Sequence, residues 1–216
     1  MRTLAIETAT EACSVALFED GALIARDHRV LGRGHAEALV PMIAALPGKG
    51  QARRILVSRG PGSFTGVRIG IATARALGFA WKAEVLGYPT LALVAAIARE
   101  EAQSARGSAP APVRVAMAGG HGEWFVQDFG PDARPENAAQ SLPPDEAASL
   151  SARSVLAGNR ARELAEHVGD DTAQVLDILP DAARTLLLAG ALQTADLAPI
   201  YGRGPDAVPM AQRGSK

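Results

Sequence analysis

Apolar and polar residues alternate along the first thirty positions. Leu4 and Ile6 mark a short strand ending near Glu7, and Cys13, Val15 and Leu17 mark a second. Asp20-Gly21, a two-residue hairpin signal, leads into a third strand over residues 22–30. The period then changes. After the breakers Gly32 and Gly34, apolar residues at Leu39, Met42, Ile43 and Leu46 recur at helical spacing and predict a helix from His35 to Leu46, with Pro41 implying a kink or a late start. Ile55-Leu56-Val57 is the short apolar run of a buried strand. The turn cluster Ser58-Arg59-Gly60-Pro61-Gly62 precedes a long helix from Ser63 or Thr65 to Lys82. Val85-Leu86 reads as a strand, and another helix runs from Thr90 to about Glu101.

The small, Pro-rich stretch Ser104 to Pro112 reads as a linker. Beyond it, Val113 to Met117 and Trp124 to Phe129 are strands around a turn at residues 118–122. Pro143-Pro144-Asp145-Glu146 opens a short helix, Val155-Leu156-Ala157 is a strand running into Gly158-Asn159, and residues 160–167 and 181–192 read as helical. The predicted organisation is a first lobe over residues 1–103, a linker over 104–112, a smaller second lobe over 113–201 and a mobile tail over 202–216. Both halves open with a strand hairpin, but the sequence carries no strict repeat. Three antiparallel strands followed by strands separated by helices define an α/β class: mixed sheets with flanking helices of the ribonuclease-H-like type, which is by analogy also the lobe plan of actin-like ATPases.

Composition narrows the function classes. With 216 residues, 48% apolar, 21% charged and net charge −1, the chain has ample material for a core, which argues against disorder. Near-neutrality removes the general electrostatic case for direct nucleic-acid binding and leaves room for a local basic patch. The single cysteine, Cys13, excludes an intrachain disulfide and a multi-Cys zinc site. No apolar run approaches the ~20 residues of a membrane span, and the start lacks a signal peptide, so a soluble cytoplasmic protein with no membrane partner is expected.

The candidate chemistry is sparse. Gly66, Gly70, Ala74 and Gly78 fall four residues apart on one stripe of the long helix, with Ala72, Ala76 and Ala80 as a second row of small residues. Each glycine there costs roughly 1 kcal/mol against alanine, so close approach of another element must compensate. That element is either the chain's own sheet or a second subunit. Gly60, Gly62 and Ser63 before the helix, with Arg68 one turn inside, form a weak anion-binding candidate without a Walker lysine. Glu7, Thr8 and Thr10 occupy the turn where an actin-like ATPase carries an acidic residue and a glycine-rich phosphate loop, but the glycines are absent. The four histidines show no metal-binding spacing, so no metal site is expected.

LAIETATEACSVAL, GRGHAEALVPMI and SRGPGSFTGVRIGIATARALGFA together resemble the TsaB/YeaZ family of bacterial tRNA threonylcarbamoyladenosine biosynthesis proteins, over roughly residues 2–100. The second half departs from the family pattern: Ala118-Gly119-Gly120 stands where Asp-Ala-Arg is usual, and Tyr201-Gly202-Arg203 where Tyr-Leu-Arg is usual. The resemblance implies a two-lobed actin-like fold and a non-catalytic subunit. Its role would be to pair with and activate the catalytic paralogue TsaD in threonylcarbamoylation of adenosine 37 in tRNAs reading ANN codons. It also implies the ATPase TsaE as a further partner, a homodimer when alone, tRNA engaged indirectly and no tightly bound cofactor, with a nucleotide at the subunit interface conceivable. The family's contacts use the two helices of the first lobe, which maps an interface onto His35, Leu39, Met42, Ile43, Gly66, Gly70, Ala74, Leu77 and Gly78. The catalytic relative's metal motif, His-x-x-x-His, is broken here by Leu39 after His35. The competing class is an enzyme of the actin-like superfamily: a nucleotide-dependent ATPase or kinase, or a glycopeptidase.

Overall fold

The computed structural model describes residues 1–106, 109–169 and 171–202. Strands β1 (Arg2–Glu7), β2 (Ala12–Glu19) and β3 (Ala22–Val30) form the predicted meander. Helix α1 (His35–Ala45) runs through Pro41, which lies on its exposed side. Strand β4 (Arg54–Ser58), helix α2 (Phe64–Trp81), strand β5 (Glu84–Tyr88) and helix α3 (Thr90–Arg106) complete the first lobe. The sheet order is β3-β2-β1-β4-β5, with β2 antiparallel to β1 and β3, and β1, β4 and β5 parallel. The three parallel strands therefore begin at one edge of the lobe, at Arg2, Arg54 and Glu84, and end at the other, at Glu7, Ser58 and Tyr88.

The second lobe repeats this plan. Strands β6 (Val113–Ala118), β7 (Trp124–Phe129) and β8 (Gln140–Leu142) form an antiparallel meander. Helix α4 (Pro144–Ala148), strand β9 (Val155–Ala157), helix α5 (Ala161–Val168) and strand β10 (Gln174–Leu176) follow, giving the order β8-β7-β6-β9-β10 with β6, β9 and β10 parallel. The duplication is one of topology: both halves open with the hairpin read from the sequence, but no strict repeat accompanies it. The three-residue strands β8 and β10 are too short to show a period. Residues 181–192 do not form the predicted α-helix: they fold as 3-10 turns at Ala182–Leu187 and Gly190–Leu192.

Helix α3 explains how two small lobes become one body. It continues to Arg106, so the first residues of the predicted linker are helical. Leu91 through Ala98 are all at most 3% exposed, and they pack against Ala5, Ala16 and Leu56 of the first sheet and Val113, Val115 and Phe125 of the second. A helix apolar on every side must be buried on every side. Outside this shared layer, α1 and α2 cover the first sheet over Leu4, Ile6, Ile55 and Val57, and α4 and α5 cover the second over Trp124, Val126 and Leu156. Of the predicted tail, only Gly202 lies within the described residues.

Candidate functional site

At the C-terminal end of the parallel strands, the turn after β1 and the loop after β4 face the second lobe across a cavity of about 730 Å³. Thr10 and Glu11 from the β1–β2 turn, Gly62, Ser63 and Arg68 from α2 and its approach, and the β6–β7 turn at Gly119-Gly120-His121 line it. Ligands of parallel α/β sheets bind at this end of the strands. Four of the seven predicted anion-site residues, Thr10, Gly62, Ser63 and Arg68, are thus brought together, and Glu7, Thr8 and Gly60 are not.

The three missing residues are consumed by the fold. The Glu7 carboxylate turns inward, fully buried; it accepts the Ala9 N–H at 2.7 Å and the Tyr88 hydroxyl lies 3.2 Å away. Burial pushes its pKa up to about 7, against the lowering effect of those hydrogen bonds. The same desolvation raises the Tyr88 phenol well above its ordinary value. The Thr8 hydroxyl donates to the Gly66 carbonyl at 2.8 Å, tying the turn to α2. Gly60 has φ 88°, and a Cβ there would stand 2.7 Å from the Ile200 carbonyl, so that backbone is shaped for the returning chain and not for a ligand.

The groups that do line the cavity are engaged as well. The Ser63 hydroxyl caps α2 by accepting the Gly66 N–H at 3.2 Å. The Arg68 guanidinium lies 3.2 Å from the centre of the Phe64 ring and donates to the Tyr201 hydroxyl at 2.6 Å. Glu11 accepts two hydrogen bonds from the Asn159 amide, at 2.8 and 3.1 Å, which bridges the lobes. A triphosphate would meet one engaged cation and a carboxylate; glycines line the cavity in the β6–β7 turn, at Gly119-Gly120, and before α2, at Gly62, and the β1–β2 turn supplies none. Among the described residues no three His, Cys, Asp or Glu side chains gather closely enough to hold a metal ion.

The expected interface stripe faces inward. A Cβ on Gly66 would lie 2.1 Å from the Thr8 carbonyl oxygen, one on Gly70 2.4 Å from the Thr8 hydroxyl, and one on Gly78 2.3 Å from a Val85 methyl, and Ala74 is fully buried. The glycines let α2 approach its own sheet. His35, Leu39, Met42 and Ile43 are also buried; the His35 ring nitrogen lies 3.2 Å from the Ala12 carbonyl, and Leu77 is half-buried. These nine positions therefore do not form an outward surface in this chain. The outward face belongs to the second row, Ala72, Ala76 and Ala80, with Phe79 at 91% exposure and Val40 of α1 at 55%. Of the two readings the glycine stripe allows, packing on the chain's own sheet is the one the structure takes.

Two ribonuclease-H-like sheets around a shared helix, with an interlobe cavity, place the molecule in the actin-like superfamily. Residues 29–171 match the family described as TsaD: tRNA N6-adenosine threonylcarbamoyltransferase, and the chain belongs to that family. Within it the similarity is to TsaB/YeaZ. The chain is 43% identical over 100 residues to the tRNA threonylcarbamoyladenosine biosynthesis protein TsaB of Escherichia coli, covering 44% of this chain and 43% of that one. It is 37% identical over 102 residues to the protein of the same name in Haemophilus influenzae, covering 45% and 43%. The matched stretch thus spans under half the length of these curated relatives. The solved structure of YeaZ from Pseudomonas aeruginosa superposes with a TM-score of 0.73 at 28% identity, covering 93% of this chain and 99% of that one. A second, of a protein described as similar to peptidase YeaZ from Pseudomonas aeruginosa, gives 0.73 at 30% identity, covering 94% and 99%.

Proposed function

We propose that this chain is a non-catalytic, cytoplasmic subunit of the machinery that makes threonylcarbamoyladenosine at position 37 of tRNAs reading ANN codons. It pairs with the catalytic TsaD subunit and activates it, and the ATPase TsaE joins the assembly. The names of its relatives support the pathway. The observation that supports the non-catalytic role is the state of the cleft: Glu7 and Thr8 are spent on holding the turn and Arg68 is bound by Phe64 and Tyr201. The chain holds no nucleotide tightly by itself; any nucleotide of the assembly sits at the joint with the partner. Pairing uses the outer face of α1 and α2, where Phe79, Val40 and the alanine row form an apolar surface with no covering element among the described residues. The same face forms the homodimer when the partner is absent.

The test is reconstitution of tRNA modification with and without the chain, using wild type and Phe79→Glu. Because Phe79 is almost wholly exposed, the variant folds normally. Modification drops at least 10-fold when the chain is omitted or carries Phe79→Glu, and co-elution with the catalytic subunit is lost. Undiminished modification without the chain, or turnover of Mg-ATP by the chain alone, sinks the proposal.

A further inference from the structure

At the opposite end of the first sheet from the interlobe cavity lies a second concavity, a groove of about 840 Å³. It is built where β1, β4 and β5 begin and where α2 ends, so Arg2, Arg53, Trp81, Lys82 and Glu84 all line it. A Cβ on Gly48 would stand 2.9 Å from Arg2 Nη1, so the glycine turn before β4 admits the guanidinium to the groove wall. The charges do not cancel. The one acidic side chain lining the groove, Glu84, accepts a hydrogen bond from the Arg54 Nε at 2.8 Å, and Arg2 is paired with Glu19 at 3.0 Å. Arg53 and Lys82 are exposed, as is Lys49 on the adjoining turn, and none of the three has an ion-pair partner among the described residues. A chain of net charge −1 thus places two exposed cations without an ion-pair partner, Arg53 and Lys82, on the wall of one concave site, with a third, Lys49, on the turn beside it.

We infer that this groove binds the phosphodiester backbone of RNA, with Arg53 and Lys82 on successive phosphates and the half-buried Trp81, which packs on the first-lobe core, at the groove wall beside them. Uncompensated cations in a concavity gain by releasing the counterions of a polyanion. A membrane surface is the weaker fit. The cations line a hollow, whereas an interfacial helix carries them on a convex face above an apolar one. The groove also adjoins the proposed docking face, because Phe79, Trp81 and Lys82 share the last turn of α2. RNA held by a catalytic partner docked on that face comes within reach of the groove. The inference rests on the tRNA-modifying role proposed above and deepens it: the chain itself contributes phosphate contacts.

The test uses the full chain, without the catalytic subunit, and an unmodified tRNA transcript reading an ANN codon. Anisotropy of labelled tRNA is followed across a salt series for wild type, for Arg53→Glu/Lys82→Glu, and for Arg162→Glu on the second lobe as a control. Wild type binds with a log–log salt slope. The double variant binds at least 10-fold more weakly with the slope reduced by about 1–2, at an unchanged urea midpoint, and the control matches wild type. In a Trp124→Phe background, where Trp81 is the one tryptophan left, binding quenches the fluorescence of Trp81. No binding by wild type, equal binding by the double variant, or binding to phosphatidylserine vesicles in place of RNA overturns the inference. The measurement contains no modification step. Dispensability of the chain for modification would therefore remove the proposed function and leave the binding result standing, and loss of the groove's role would leave the docking role intact.

Discussion

Glu7 shows what the turn at the cleft demands of one residue. Its carboxyl is fully buried, and its pKa of about 7 lies above the ordinary 4.5. Between those values the folded protein binds a proton that the unfolded chain has released, so stability falls as pH rises from about 4.5 to about 7. A shift of that size corresponds to about 3 kcal/mol lost across the window. Glu7→Gln keeps an acceptor for the Ala9 N–H and carries no charge, so its urea midpoint stays flat over that window while the wild-type midpoint declines. Parallel pH profiles for the two proteins would refute the assignment. Gly66 makes the complementary point about size. A methyl group there would collide with the Thr8 carbonyl, a backbone atom that cannot swing away. Gly66→Ala therefore costs about 1–3 kcal/mol in urea denaturation, whereas Ala76→Leu on the outer face leaves stability unchanged.

At the scale of elements, β6 and β7 carry a charge pair in place of an apolar cross-strand contact. Arg114 and Asp128 face each other in the register and meet at 2.7 and 2.9 Å, Arg114 being 2% exposed. Burial alone pushes the Asp128 carboxyl up, but hydrogen bonds from Arg114 and Arg153 outweigh it and hold its pKa below the ordinary range. The stability it contributes is therefore present at neutral pH and lost only as pH falls through that lowered value. Asp128→Ala strands a buried guanidinium, and urea denaturation should show a loss of about 3–5 kcal/mol. The double variant Arg114→Met/Asp128→Leu recovers most of it, because the unpaired charge and not the missing attraction dominates the loss. A double variant as unstable as the single one would count against this account. Sequence reading found the strands but not the pair, since alternation marks β6 and β7 without fixing which residues stand opposite each other. The first meander was legible for a related reason: Asp20-Gly21 fixes both a turn and a register. Strands β8 and β10 are too brief for any period, and the 3-10 turns after β10 share the apolar spacing of a helix. The stripe Gly66-Gly70-Ala74-Gly78 was legible as a stripe. Its direction was not, because spacing along a helix says which residues share a face and not what that face meets.

The whole molecule depends on contacts between residues far apart in the chain, and these escaped sequence reading altogether. Tyr201 reaches Arg68 because the chain after the second lobe returns across the first: Gly87 pairs with Thr194, and the Ile200 N–H donates to the Arg59 carbonyl at 2.7 Å. The lobes are joined on the other wall of the cleft by Asn159, whose amide nitrogen donates to Glu11 while its oxygen accepts the Ala118 N–H at 2.8 Å. One side chain thus fastens the β1–β2 turn of one lobe to β6 of the other, and an amide is the group that can do both. Asn159→Asp keeps the acceptor but sets a carboxylate against the Glu11 carboxylate. At neutral pH the variant should lose about 1–3 kcal/mol and exchange amide hydrogens faster in the β1–β2 turn. Acidification that protonates one of the two carboxyls restores a donor, so the deficit relative to wild type shrinks at low pH. A deficit independent of pH would mean that α3 and the returning chain at Thr194–Tyr201 hold the lobes and that the cleft's width owes nothing to the Glu11–Asn159 bridge.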